Sequence, residues 1–326
     1  MKYIKYTLAI VSFLFLILPQ TSIFSQTFSA KDAQKQFNIS HFPKYPGPNE
    51  KISAEIISYA FDVDRSYITW TLNGEMISQG RGLKRIDFTN GNLGDSMSLY
   101  ISVVTNDGLS VSQGIEFKVV DVDLLWEADS HTPIFYKGKA VPVSGSIVKI
   151  TTIPQGFDSM KNLVYRWERD FVYDSRASGV DKNTYSIKFT DIFGGETIGV
   201  TVSDQQNRQI FQKSIKIKRG EPEILFYEED PLEGPLYQRT ILGSLELAGQ
   251  LEIVIRAEPY FFPNGDFFDL LRIWKMNNEK VEPFSNPNFI GLTVPEDIKG
   301  EALIELKVNN PNSYFQTVDK KIKLLF

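Results

Sequence analysis

One strand-like run occurs three times, and that repetition limits what the chain can fold into. It reads Ile68-Thr69-Trp70-Thr71-Leu72-Asn73-Gly74, then Tyr165-Arg166-Trp167-Glu168-Arg169-Asp170, then Arg272-Ile273-Trp274-Lys275-Met276-Asn277-Asn278. Each copy places one Trp just before a cluster of turn-forming residues. The Trp-to-Trp separations are 97 (167 minus 70) and 107 (274 minus 167). A period of about 100 residues filled with short strands is the size of a β-sandwich.

The flanks repeat in the same order. Ile52, Ala54 and Ile56 alternate with polar residues ahead of the first Trp, the period of a half-buried strand. Leu99, Ile101 and Val103 follow it and lead to Asn106-Asp107-Gly108, a hairpin turn. Val148 and Ile150, then Ile198, Val200 and Val202, hold these places in the second copy; Ile253 and Ile255, then Leu306 and Val308, hold them in the third. Trp70, Trp167 and Trp274 sit among aliphatic neighbours at equivalent positions, so they read as structural core rather than as sugar-stacking platforms. No sustained helical period follows the N-terminal segment. The expected fold is all-β: three antiparallel sandwiches, spanning 45–121, 122–220 and 221–326, the last two each opening on a connector strand.

The connectors repeat as well. Leu124-Leu125-Trp126-Glu127-Ala128-Asp129 lines up with Ile224-Leu225-Phe226-Tyr227-Glu228-Glu229, and Phe135-Tyr136 lines up with Leu236-Tyr237. A linker that only had to be flexible would not carry two aromatic clusters in register. The expectation is a strand packed against the preceding module, with Trp126, Phe135, Tyr136, Phe226, Leu236 and Tyr237 at the inter-domain junctions.

The first residues read as an address. Lys2 and Lys5 precede an apolar run from Thr7 to Leu18 that stops at Pro19, which fits a secretory signal spanning 1–25 with cleavage after Ser25. An uncleaved signal anchor is the alternative. Residues 26–44 read as a flexible leader. The expected location is extracellular or in the cell envelope. A net charge of -5 argues against a nucleic-acid partner. With no cysteine there is no disulfide, thiolate metal site or cysteine nucleophile.

At this point the modules resemble bacterial Ig-like domains of the polycystic-kidney-disease (PKD) type. The residues that carry the likeness are Ile68 to Gly74, the Leu99 to Gly108 hairpin and Gly199-Val200-Thr201-Val202-Ser203-Asp204. The resemblance implies spacer, adhesion or appendage roles in surface and secreted proteins. The family's usual Asp-Phe-Gly-Asp-Gly after the Trp is replaced here by Thr71-Leu72-Asn73-Gly74.

Catalytic chemistry has little to work with. There is no Gly-x-Ser-x-Gly, and no Walker or dinucleotide fingerprint. His41 and His131 are the only histidines, one in the leader and one in a connector. Glu228 and Glu229 read as a solvated run. Asp62 with Asp64, and Glu228, Glu229 and Asp230, offer hard oxygen ligands without a full calcium loop. The expectation is therefore no enzyme, no cofactor and no metal requirement. Phe261, Phe262, Phe267 and Phe268 form an aromatic loop, expected to pack on the module end rather than to bind. The function expected is a structural or adhesive envelope protein whose partners are other surface proteins or glycans. A subunit of a pilus or secretion assembly, or a carbohydrate-binding accessory protein, are the alternatives.

Overall fold

The computed structural model describes residues 37–190, 194–247, 249, 251–283, 286–294, 299–313 and 316–326. The signal-like segment and the leader up to residue 36 lie outside them. Three Ig-like sandwiches follow one another. In the first, β1 (Phe37–Phe42), β2 (Lys51–Ser58) and β5 (Arg85–Thr89) make one sheet. The facing sheet runs β4 (Glu75–Arg81), β3 (Tyr67–Leu72), β6 (Ser96–Val104), β7 (Ser110–Lys118). The second repeats this plan, with β8 (Asp121–Asp129), β9 (Ile147–Gln155) and β13 (Thr184–Lys188) facing β10 (Val164–Arg169), β14 (Glu196–Ser203) and β15 (Ile210–Ile217). Two short strands, β11 (Val172–Tyr173) and β12 (Gly179–Val180), pair with the outer edge of β10.

The third sandwich adds to the plan. Its first sheet is β17 (Gly234–Ile241), β16 (Glu223–Asp230), β19 (Glu252–Tyr260), β22 (Phe289–Thr293). Its second is β18 (Ser244–Glu246), β24 (Thr317–Leu325), β23 (Glu301–Asn309), β20 (Leu271–Met276), β21 (Glu279–Val281). The pairing of β18 with β24 is parallel; the named pairs elsewhere are antiparallel.

Each sandwich has its own core, because alternate residues of both sheets turn inward. Leu99, Ile101 and Val103 on β6 are buried, as are Val200 and Val202 on β14 and Leu306 and Val308 on β23. At the centre Trp70, Trp167 and Trp274 are 0%, 0% and 1% exposed. A buried indole N–H needs an acceptor. Each finds one in the same place, the backbone just before the next strand of the opposite sheet. Trp70 Nε1 donates to the Leu83 carbonyl at 2.8 Å, Trp167 to Lys182 at 2.9 Å and Trp274 to Pro287 at 2.9 Å. The turn after each Trp strand is docked the same way. Asn73, Asp170 and Asn277 donate their backbone N–H to Ser98, Thr197 and Leu303 carbonyls, and their side-chain Oδ1 accepts the N–H of those same residues. The repeat is thus one of polar bonds as well as apolar spacing.

One expectation needs correcting here. Phe37–Phe42 is a strand, not part of a flexible leader: it pairs along its length with β2, and Phe37 and Ile39 are 3% and 5% exposed. The polar residues between them hide a short period-two pattern, and Pro43 ends the strand. The connector strands β8 and β16 pair with β9 and β19, each opening its own module as expected.

Candidate functional site: the junctions between sandwiches

Both junctions are built by the same piece of chain, the connection between the first and second strands of a module. In the first module this connection, 43–50, is short. It carries Tyr45 onto the core of the second module and brings Gly47 beside the Phe211 ring. The covalent link is shorter still: β7 ends at Lys118 and β8 starts at Asp121, with Val119 and Val120 buried between them. Val119 exchanges backbone bonds of 2.8 Å with Gly94 and Asp95. Gly156 of the second module then approaches closely. A Cβ there would lie 2.8 Å from the Val119 carbonyl and 3.1 Å from the Gly94 nitrogen, and its φ is +78. Only glycine fits. Lys118 pairs with Asp158, which is also bonded to Gln209, so the contact is polar and largely exposed. The bond from Lys118 holds the Asp158 carboxyl below the ordinary carboxylate value. An open cleft beside it is lined by Phe117, Lys118, Asp158 and Arg208.

In the second module the equivalent connection, 130–146, is long and lies against the third module. Ser130 bridges to Pro263, and His131 exchanges two 2.7 Å backbone bonds with Phe261 and Phe262. The His131 ring stacks on Phe267 with centroids 3.5 Å apart. Phe135 stacks on Tyr237 at 3.5 Å and meets the edge of Tyr227 at 5.8 Å. Tyr136 meets the edges of Tyr260 and Phe261. Asn264 reaches Asp129, and Gln316 reaches the Ser144 carbonyl. Gly220, in the link between β15 and β16, donates to the Pro142 carbonyl at 2.7 Å, and a Cβ on it would lie 2.8 Å from the Val141 Cβ.

Charges stand behind the aromatic clasp. Arg256 lies between Glu229 and Glu258, and Tyr237 Oη is 3.4 Å from Glu258. Burial raises the Tyr237 and Tyr260 phenols, so both stay neutral donors. Burial, with Arg272 nearby, lowers His131 below its ordinary value, keeping a neutral ring on Phe267.

The residues expected at the junctions divide. Phe135, Tyr136 and Tyr237 meet there, although the first two and the last come from positions read as equivalent in two successive junctions. Leu236 is half-buried beside Tyr237 on β17. Phe226 does not belong to a junction: it is 0% exposed in the third core, 5.7 Å from Trp274. Trp126 does not either. It packs on the core of its own module opposite Ile150, with the Lys139 ammonium 3.2 Å from its ring centroid. Both lie on the inward face of a first strand, where an aromatic reads the same in sequence whichever core it serves.

Of the aromatic loop, Phe262 is buried in the third core and Phe267 meets His131, while Phe268 is 92% exposed. The candidate calcium ligands are engaged otherwise. Asp62 pairs with Arg65, Asp64 with Lys84 and Glu229 with Arg256. Asp230 accepts the Leu232 and Glu233 N–H groups. Gly156, Gly220, Asp158 and Gln209 are not singled out by the sequence, where a Gly in the loop after β9 or in the link before β16 is too common a feature to mark a junction.

No family model matches the chain, and no curated protein sequence does. Solved structures similar to it include the fibronectin(III)-like modules of CbhA from Clostridium thermocellum, at 16% identity over 56% of this chain and 94% of that one, with a TM-score of 0.27. The central fibronectin-III array of RIM-binding protein is similar at 11% identity over 89% and 95%, with a TM-score of 0.29. A 1.5-MDa bacterial ice-binding adhesin is similar at 9% identity over 88% and 96%, with a TM-score of 0.26.

Proposed function

We propose that the chain is a non-catalytic, exported structural or adhesive element of a bacterial cell envelope. It acts as a semi-rigid series of Ig-like sandwiches that holds loops away from the surface to which it belongs. The observation that carries this reading is the second junction. A long connection from one module is laid on the next by backbone bonds, stacked rings and polar side chains, more than a passive linker needs. A scaffold of this kind meets its partners, surface proteins or glycans, through loops at fixed spacing. The signal-like segment of the sequence supports export.

The test combines place and shape. Fractionation of the native host with external protease is expected to find the protein in the envelope and cleavable from outside. Solution scattering of the purified chain is expected to give a radius of gyration well above the ~20 Å of a compact chain of this length. A cytosolic location, or a compact radius, overturns the reading.

A further inference from the structure

The outward face of the sheet β4-β3-β6-β7 differs from its two counterparts in charge. In each module the Trp pairs with a residue of the next strand, and that residue pairs with one of the strand after. These sets are Trp70 with Ile101 and Gln113, Trp167 with Val200 and Lys213, and Trp274 with Leu306 and Lys320. The residues on either side of each set member turn away from the core. In the first module they are Thr69, Thr71, Tyr100, Ser102, Ser112 and Gly114, all uncharged. In the second, Arg166 and Glu168 stand beside the Trp. In the third, Lys275, Glu305, Lys307, Asp319 and Lys321 take all these places except that of Ile273. Solvated sheet faces carry such charges for solubility. The first module has given them up.

Its outward groups come in rows across the strands. Gln79, Thr69, Ser102 and Ser112 make the middle row. Tyr67 beside Val104 lies on one side of it, and Tyr100 beside Thr71 and Met76 on the other. Tyr67 and Tyr100 are 47% and 44% exposed, and among the described residues neither ring stacks on another. The Tyr100 ring lies over Gly114, where a Cβ would sit 3.2 Å from its Cδ2. Gly114 has no left-handed φ to call for glycine, so it is the ring that needs the space. The face then runs into the first junction. Ser96 and Ser98, opposite Lys118 and Glu116, form one wall of an open cleft of ≈ 630 Å³ whose other wall is Asp158, Arg208 and Gln209.

We infer that this face and cleft bind a neutral polysaccharide chain. A sugar ring has C–H groups on its faces and hydroxyls around its edge, so it takes aromatic rings beneath it and hydrogen-bonding groups beside it. Tyr67 and Tyr100 stand about 14 Å apart with the hydroxyl row between them, which suits a chain of sugars rather than one. A protein partner fits an apolar centre with a polar rim, and here the order is reversed. Charge sets the ligand as neutral. Lys118 is paired with Asp158 and Arg208 with Asp204. The rim charges outside ion pairs are Glu75 and Glu116 against Arg81, which bonds to Asn106, so a polyanion meets net repulsion. The inference rests on the display reading and names one class among its partners.

The labelled full chain on an array of linear polysaccharides, some neutral and some rich in uronate, tests it. Binding is expected on neutral chains and not on uronate-rich ones. Tyr67→Ala and Tyr100→Ala are each expected to weaken it about tenfold or more with the melting temperature unchanged, since neither ring belongs to the core cluster. Tyr173→Ala, an exposed tyrosine of the second module, is expected to bind as the wild type does. The inference is overturned if no neutral polysaccharide binds, if uronate-rich chains bind better, if both face variants keep wild-type affinity, or if Tyr173→Ala weakens binding as much as they do. Envelope location and scattering radius do not depend on sugar, so these failures leave the display reading standing.

Discussion

The two junctions join similar sandwiches by opposite means. The first relies mainly on backbone proximity: a two-residue link, a glycine pressed against a carbonyl and one partly exposed ion pair, with Tyr45 as the single aromatic laid on the next core. The second relies on side chains: a long connection that stacks Phe135, Tyr136 and His131 on the next module. Close backbone approach restricts bending through sterics and contributes little apolar burial. A side-chain clasp contributes burial, at about 25 cal/mol per Å² of apolar surface, and couples the stability of its two modules. The first joint is therefore stiff but thermodynamically loose, and the second is cooperative.

The largest effect should come from breaking the first joint at its glycine. Gly156→Val combines a left-handed φ with a Cβ 2.8 Å from a backbone oxygen. It is expected to cost about 2–4 kcal/mol and to broaden the distance distribution in solution scattering. A wild-type melting temperature and distribution would show that close approach does not set this joint.

A smaller effect is expected from the second joint. Phe135→Ala with Tyr136→Ala should remove about 1–3 kcal/mol of coupling. Calorimetry should then resolve separate transitions for the second and third modules where the wild type gives a shared one. Lys118→Ala at the first joint serves as the contrast and should leave the transitions in place. Equal effects at both joints would end the distinction.

The smallest effect is that of pH. His131 is lowered below its ordinary value of 6.5 in the folded chain, so the unfolded chain takes up the proton first. Stability from this ring is complete above about pH 6.5 and declines as pH falls toward the lowered value. Asp158 is lowered below 3.8, so its contribution is lost only as pH falls through that lower value. Acidifying from about pH 7 to 5 should thus loosen the second junction and spare the first, by less than about 1 kcal/mol. His131→Phe should abolish the dependence in a scattering or melting titration; its persistence would assign it elsewhere.

What could be read from sequence follows the range of each interaction. Trp70, Trp167 and Trp274, their alternating neighbours and their turns are local patterns, so the three sandwiches were legible. β1 was not, because Asn38, Ser40 and His41 dilute its two inward residues. Phe226 and Trp126 read as junction residues in sequence because alternation says that a residue is covered without saying by which core. The stacking of Phe135 on Tyr237 required knowing that two connections, from different modules, meet at one place.

The connection between first and second strands is the part of the module that varies most in length from one copy to the next. It occupies the same topological position each time, yet it runs over 43–50 in the first module and 130–146 in the second, and in the third it contains β17 and β18. In the first two modules it leaves and rejoins its sandwich outside the Trp-centred core, so a change of length there bears on how modules meet rather than on whether they fold, whereas in the third Ile241 and Leu247 join the core. Lengthening a loop twofold costs only about 0.6 kcal/mol in closure entropy. Inter-module geometry can therefore drift, or be redesigned, one loop at a time, with the sandwiches themselves as constant parts.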